Sequence, residues 1–243
     1  MKKLITICSI ATLVIALNVT VQAVTIDFEG GGYTLAADGA ATIALSTEQS
    51  HSVSNSVKIQ LSDGSPSMDF GKINVPYSGL LNQTTATAWD YIPSSNSRPE
   101  LAPYIYFILD SDNSGTYNYP SDSLVIAFVS GSTANPTDTW FQTSLDASTK
   151  VHVVGNRTGL GVNDFSASHG DVMGTLGDLR STTFSGSTTY GDLSLIIVRA
   201  GAGEWPDASN YTAYVDDITI IPEPATICIL GLGGLLIRRK RRA

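Results

Sequence analysis

Tyr104-Ile105-Tyr106-Phe107-Ile108-Leu109 is apolar or aromatic at every position, and Ser123-Leu124-Val125-Ile126-Ala127-Phe128-Val129 repeats the pattern fourteen residues later. A strand apolar on both parities belongs in the middle of a sheet covered on both sides, or in a sandwich with something lying on its outer face. The two runs are therefore expected at sheet centres. Around them the chain is cut every eight to twelve residues by Gly, Ser, Thr, Asn and Asp, with short runs rich in Val, Ile, Tyr and Phe between the cuts. This is an all-β signature. No window keeps a clear 3.6-residue period, so little helix is expected, and no repeat suggests a solenoid or propeller.

Working outward, Val24-Thr25-Ile26-Asp27-Phe28-Glu29 alternates and is closed by Gly30-Gly31-Gly32. Further half-buried strands are expected at Ala41 to Leu45, Val57 to Leu61, Met68 to Val75, Thr84 to Ile92, Trp140 to Leu145, Val151 to Val154, Leu193 to Val198 and Tyr211 to Ile221. Residues 155 to 191 hold few large apolar side chains and read as long loops with one weak strand. The Asp27-Phe28-Glu29 strand end, the Ser50 to Ser56 loop and the strand Ser56-Val57-Lys58-Ile59 together resemble the opening of a galactose-binding-like jelly roll, as in many carbohydrate-binding modules. The fold expected is a single β-sandwich.

The chain ends bear on destination. Lys2-Lys3, the apolar run from Leu4 to Val21 and the exit Val21-Gln22-Ala23 have the three parts of a secretory signal peptide. At the other end Pro222-Glu223-Pro224 precedes the apolar run Ala225 to Ile237 and the basic cluster Arg238, Arg239, Lys240, Arg241, Arg242. The run would span about 20 Å as a helix, against roughly 30 Å of hydrocarbon, and its cations would stay on the cytoplasmic side. These three parts resemble the PEP-CTERM sorting signal; the resemblance implies an exosortase as partner, passage through the inner membrane, and a place at the cell surface or in an extracellular matrix. A plain tail anchor is the alternative. The organisation expected is a signal peptide over 1–23, a β-sandwich over 24–221, and a sorting signal with a short transmembrane helix over 222–243.

Charge and cysteine narrow the function. Of fourteen Lys and Arg, two precede the exit site and five end the chain, leaving seven against twenty-one Asp and Glu in residues 24–221. So acidic a body repels nucleic acid and suits divalent cations or neutral glycans. Cys8 and Cys228 both lie in the terminal segments, which removes disulfides, a cysteine nucleophile and thiolate metal sites from the body.

Three groups of residues are candidate sites. Asp110-Ser111-Asp112-Asn113-Ser114-Gly115 copies the first half of a calcium loop, with oxygen ligands Asp110, Asp112 and Ser114 and a glycine for the turn, although the twelfth position is Ser121, beside Asp122. A hairpin loop of turn formers is the competing reading. Asp216 shares parity with Tyr214, Ile218 and Ile220 and is expected to point inward, where it would need a cation or donors. The likeness to carbohydrate-binding modules implies a structural calcium held by Asp216 and Glu29, with Asp27 as a further ligand; the competing readings pair Asp216 with Arg199 or leave the strand end wet. Trp205, Trp89 and Tyr117, with Trp140 and Tyr119, are candidates for stacking on sugar rings, against the reading of tryptophan as core.

No catalytic motif is present: His51, His152 and His169 have no metal-ligand spacing, and nucleophile-elbow, His-Glu-x-x-His and phosphate-loop patterns are missing. The leading expectation is a non-enzymatic structural or adhesive exported protein. The alternative is a glycan-binding module with a sugar site on the sandwich. An extracellular glycoside hydrolase would need paired acids on a concave face, and ice binding an array of Thr-x-Thr that Thr85-Ala86-Thr87 alone does not make.

Overall fold

A computed structural model describes residues 22–52, 55–61, 69–96, 103–127, 135–161, 164–166, 174–204 and 211–223. The expected signal peptide, and the sorting tail beyond Glu223, lie outside them. No helix among the described residues is long and apolar enough to cross a membrane.

The described chain is mostly strand: β1 (Val24–Ile26), β2 (Thr34–Asp38), β3 (Thr42–Ser46), β4 (Ser56–Leu61), β5 (Asp69–Leu80), β6 (Thr84–Tyr91), β7 (Tyr104–Leu109), β8 (Ser123–Ala127), β9 (Trp140–Leu145), β10 (Val151–Gly155), β11 (Thr183–Ser185), β12 (Thr188–Thr189), β13 (Ser194–Glu204) and β14 (Tyr211–Pro222), with one helix, α1 (Leu176–Ser181). Two six-stranded antiparallel sheets form the sandwich. The first has the order β3-β4-β14-β6-β9, and β1 joins it by pairing with the second half of β14, beyond the stretch that β4 takes. The second has the order β10-β8-β7-β13-β5-β2. Most neighbours in the two sheets are distant in sequence, β3–β4 and β7–β8 being the consecutive pairs, as in a jelly roll.

The core lies between the sheets. Val57, Ile59, Ala86, Ala88, Val215 and Ile220 face it from the first sheet, and Ile73, Ile105, Phe107, Val125, Val151 and Val198 from the second. At Gly71 on β5 a Cβ would come within 2.4 Å of the Ile59 side chain, so the bare backbone there is what lets the two sheets close. The doubly apolar β7 has the expected central position. Its odd residues Ile105, Phe107 and Leu109 join the core, while Ile108, on the opposite face, is buried as well.

Two bulges change which side chains face the core. On β14 the register shifts between Asp216 and Thr219, with Asp217 at φ +45°. Tyr211, Ala213 and Val215 point inward before the shift, and Ile218 and Ile220 after it. Asp216 therefore shares the outer face with Tyr214 and does not point inward as simple alternation predicts, because the extra residue of a bulge reverses parity. On β13 a shift between Leu195 and Ile197 does the same: Leu195 and Val198 are core, and Arg199 is turned outward.

The stretch expected as loop with one weak strand contains more order. Thr175 caps α1 reciprocally with Asp178, the Thr hydroxyl accepting the Asp178 N–H while the Asp178 side chain accepts the Thr175 N–H. Leu176 and Leu179 bury its apolar side, and the β11–β12 ribbon follows. β2 was also not expected; it is short, and only Leu35 packs against the core.

Candidate functional site

The bulge on β13 decides the site, since it aims Arg199 away from the core into the middle of the second sheet's outer face. In the ladder Arg199 sits between Tyr106 of β7 and Asn74 of β5. Its Nε donates to Asn74 Oδ1, and its Nη1 donates to the Tyr106 hydroxyl at 2.5 Å. The guanidinium carbon lies 5.1 Å from the Tyr106 ring centroid and 5.3 Å from that of Tyr117, within cation–π range of both. Arg199 is 5% exposed.

One step along the same face are Tyr104 and Lys72, opposite each other across Gly201. Lys72 pairs with the Asp38 carboxylate at the sheet edge. Burial lowers its ammonium pKa, and the like charge of Arg199 lowers it further. Burial pushes the Tyr106 phenol up to about 12 and raises that of Tyr104 as well, so both remain neutral hydrogen-bonding groups at any physiological pH. At Gly203 a Cβ would fall 1.9 Å from the Phe70 ring, so the absence of a side chain lets Phe70 lie on the strand. The result is a sheet face floored by Tyr104, Tyr106 and Phe70, with two cations among them.

Tyr117 reaches this face from the loop joining β7 to β8, which also carries the first acidic candidate. Asp110, Asp112 and Asp122 each bring a carboxylate oxygen within 4.8 Å of the others. They are held by backbone donors: Ser114 N–H to Asp110 (2.8 Å) and Asp112 (3.0 Å), Gly115 N–H to Asp110, and Ser111 and Asn118 N–H to Asp122. Asp122 is buried, and burial followed by the charges of Asp112 and Asp110 raises its pKa. All-oxygen donors at this spacing fit a hard cation such as calcium. Ser114 Oγ instead turns to the Thr116 carbonyl at 2.9 Å. Asp122 was legible only as the acid beside the twelfth loop position. Tyr117 and Tyr119, on the return arm of this loop, are 37% and 56% exposed.

The second acidic candidate is arranged differently. Asp216, 1% exposed, accepts the N–H groups of His51 (2.9 Å), Ser52 (3.3 Å) and Asp217 (2.8 Å). Backbone donors from the Ser50 to Ser56 loop thus satisfy it. Asp27 accepts the Glu29 N–H at 2.9 Å and Glu29 is exposed; these two and Asp216 do not converge as a ligand group. The expected alternative of an Asp216–Arg199 pair is also excluded, because the two side chains lie on opposite outer faces of the sandwich.

That first outer face has its own aromatic residues. Tyr214, Tyr91 and Trp140 form one row across β14, β6 and β9, and Asp216, Trp89 and Gln142 the next. The His51 ring stacks on Trp89 at 3.9 Å and 14° and meets Trp140 edge-on at 5.6 Å, while its Nδ1 lies 2.9 Å from Asp217. Lys58 and the Tyr214 hydroxyl both bond Glu48 of the same loop. The loop thus covers these rings, and Trp89 already has a partner on its face. Trp205 lies outside the described residues, as do Pro224 and the terminal basic cluster. Pro222 closes β14, and Glu223 accepts from Arg180 Nη1 at 2.8 Å.

No family model matches this chain, and no curated protein does. Solved structures are similar to it at low identity. They include the family 11 carbohydrate-binding module from Clostridium thermocellum in complex with a β-1,3-1,4-mixed-linked tetrasaccharide (11% identity, 84% of this chain, 98% of that one, TM-score 0.46). An endo-β-1,4-glucuronan lyase from the fungus Trichoderma reesei is similar at 8% identity (83% and 94% covered, TM-score 0.47). A structure of carbohydrate-binding modules from the β-sandwich superfamily is similar at 14% identity, with 79% of this chain but only 57% of that one covered and a TM-score of 0.39.

Proposed function

We propose that the chain is an exported, non-enzymatic glycan-binding module whose sugar site is the outer face of the second sheet. The observation carrying this is the grouping of Tyr104, Tyr106 and Tyr117 around the outward-turned Arg199, with Asn74 and Lys72 alongside. Sugar rings present apolar C–H faces and a rim of hydroxyls, so a site needs flat aromatic surface for the first and fixed donors and acceptors for the second. Both are present, on rigid strands, with a tyrosine reaching in from a loop. The expected structural or adhesive role then becomes the consequence of binding: a sorted surface protein that holds polysaccharide.

Calcium belongs to the proposal as a support for that loop. Asp110, Asp112 and Asp122 would hold it, and the ion would offset the burial and the neighbouring carboxylate charges that together raise Asp122 while fixing the arm that carries Tyr117. The reading is tested by affinity electrophoresis of the protein through gels containing a panel of polysaccharides. Retardation by at least one, weakened by Tyr117→Ala, is expected; free migration through all of them would mark an inert structural domain.

A further inference from the structure

Two arginines are buried among the described residues, and they are treated differently. Arg180, 8% exposed, donates to the Glu223 carboxylate at 2.8 Å and to the Thr84 carbonyl at 2.7 Å, so its charge is met by an opposite charge. Arg199 is the more deeply buried of the two. Its protein acceptors are the neutral oxygens of Asn74 and Tyr106, and no carboxylate among the described residues pairs with it. A buried cation without a counter-charge is costly to keep. Here a second cation is set beside it, close enough for Arg199 to depress the Lys72 ammonium. Both side chains belong to the outer face of the second sheet, Arg199 5% exposed beneath the Tyr117 ring and Lys72 paired with Asp38, in a body whose acids outnumber its bases three to one.

We propose that this face takes an anionic sugar, one bearing an oxyanion such as a uronate carboxylate or a sulfate ester. The inference rests on the glycan-binding reading and gives that site its ligand class. Arg199 is held flat by its bonds to Asn74 and Tyr106, and a planar guanidinium fixed in this way presents its fork to a carboxylate or sulfate without further ordering. Tyr117 and Tyr104 would carry the ring of the same sugar. The acidic remainder of the body does not oppose this at working ionic strength, because at about 0.15 M salt charges beyond roughly 8 Å are screened. Local sign, not net charge, then governs the contact.

The test is affinity electrophoresis of the full-length chain, in neutral detergent, through gels containing polygalacturonate or a sulfated galactan, each run beside its carboxyl-reduced or desulfated counterpart. At least tenfold stronger retardation by one anionic polymer than by its neutral counterpart is expected, and the responding arm tells carboxylate from sulfate. Arg199→Gln should abolish the difference with an unchanged near-ultraviolet circular dichroism spectrum. Should that variant fail to fold, the charged-against-neutral comparison on the unaltered chain still decides, and Lys72→Gln, nearer the sheet edge, should weaken the anionic arm several-fold. Equal retardation by charged and neutral forms would overturn the anion inference and leave glycan binding standing. No retardation by any of the polymers would overturn both.

Discussion

The two outer faces of the sandwich are both lined with aromatic rings and polar groups, yet one is covered by a loop that meets its charged groups, and the other, the open one, keeps Arg199 5% exposed beneath a single loop ring, Tyr117, with no carboxylate among the described residues paired to it. On the first sheet the residues following β3 meet the rings and their neighbours: His51 stacks on Trp89, its backbone N–H and that of Ser52 bond Asp216, and Glu48 ties Lys58 to Tyr214. On the second sheet the loop after β7 reaches in with one ring, Tyr117, and leaves Arg199 beside neutral partners. Aromatic content alone therefore does not mark a binding face. What distinguishes the two is Arg199, which among the described residues has no carboxylate partner, whereas Lys58 and His51 on the other face each have one.

The largest expected effect on this contrast comes from the closed face. Trp89→Ala removes the half-buried ring that His51 stacks on and should cost roughly 3 kcal/mol, the lower end for large-to-small aromatic replacements. Denaturant unfolding would read the loss, and polysaccharide retention by the folded fraction should not change. If retention disappears instead, the faces have been assigned the wrong way round.

Next is Asp90, on the inner side of the same sheet. It is 1% exposed, and neither carboxylate oxygen has a hydrogen-bond partner. Burial pushes its pKa up to about 7, the Thr143 hydroxyl, outside hydrogen-bond geometry, acting weakly the other way. The folded state thus holds the proton more tightly than the unfolded chain, whose carboxyl titrates near 3.8. Its contribution to stability is full below that pH and is lost as pH rises through about 7. Asp90→Asn removes the ionisation and should raise stability by roughly 2–4 kcal/mol at pH 8, the full shift setting the upper end, with little change at pH 4, by thermal melts at the two pH values. Equal shifts at both would mean that the carboxyl is not buried as described.

On the open face, Tyr117→Ala should weaken glycan retention by about tenfold, or about 1.4 kcal/mol, without moving the melting temperature. Chelation with EDTA should lower the melting temperature and weaken retention together, because the loop that Asp110, Asp112 and Asp122 would fix is the one presenting Tyr117. An unchanged melt would dismiss the ion at both acidic candidates. The smallest effect belongs to Lys58→Met, whose pair with Glu48 is solvent-screened; neither melting nor retention should change measurably.

Much of the architecture was readable from composition and parity. The doubly apolar β7 and β8 are indeed interior strands of a sheet, and alternation in Val57-Lys58-Ile59-Gln60-Leu61 placed Lys58 and Gln60 outward as found. Alternation failed on β13 and β14, where a bulge reverses parity and nothing in the local residue pattern announces it. That single kind of error turned Asp216 the wrong way and hid Arg199, which the sequence offered only as a partner for Asp216. The cap of α1 was visible in Thr175-Leu176-Gly177-Asp178 but lay within a stretch otherwise poor in apolar side chains. Trp89 and Tyr117 were readable as aromatic candidates; which of them carries a stacked partner is a long-range fact about loops.

The most direct test of the open-face claim is a nuclear magnetic resonance titration with an acidic oligosaccharide, following the Arg199 Nε–H signal and the indole N–H signals of Trp89 and Trp140. Movement of the arginine resonance on binding, with both indoles still, is the predicted result. Displacement of the indoles with Arg199 unmoved would place the ligand on the other face and contradict the account.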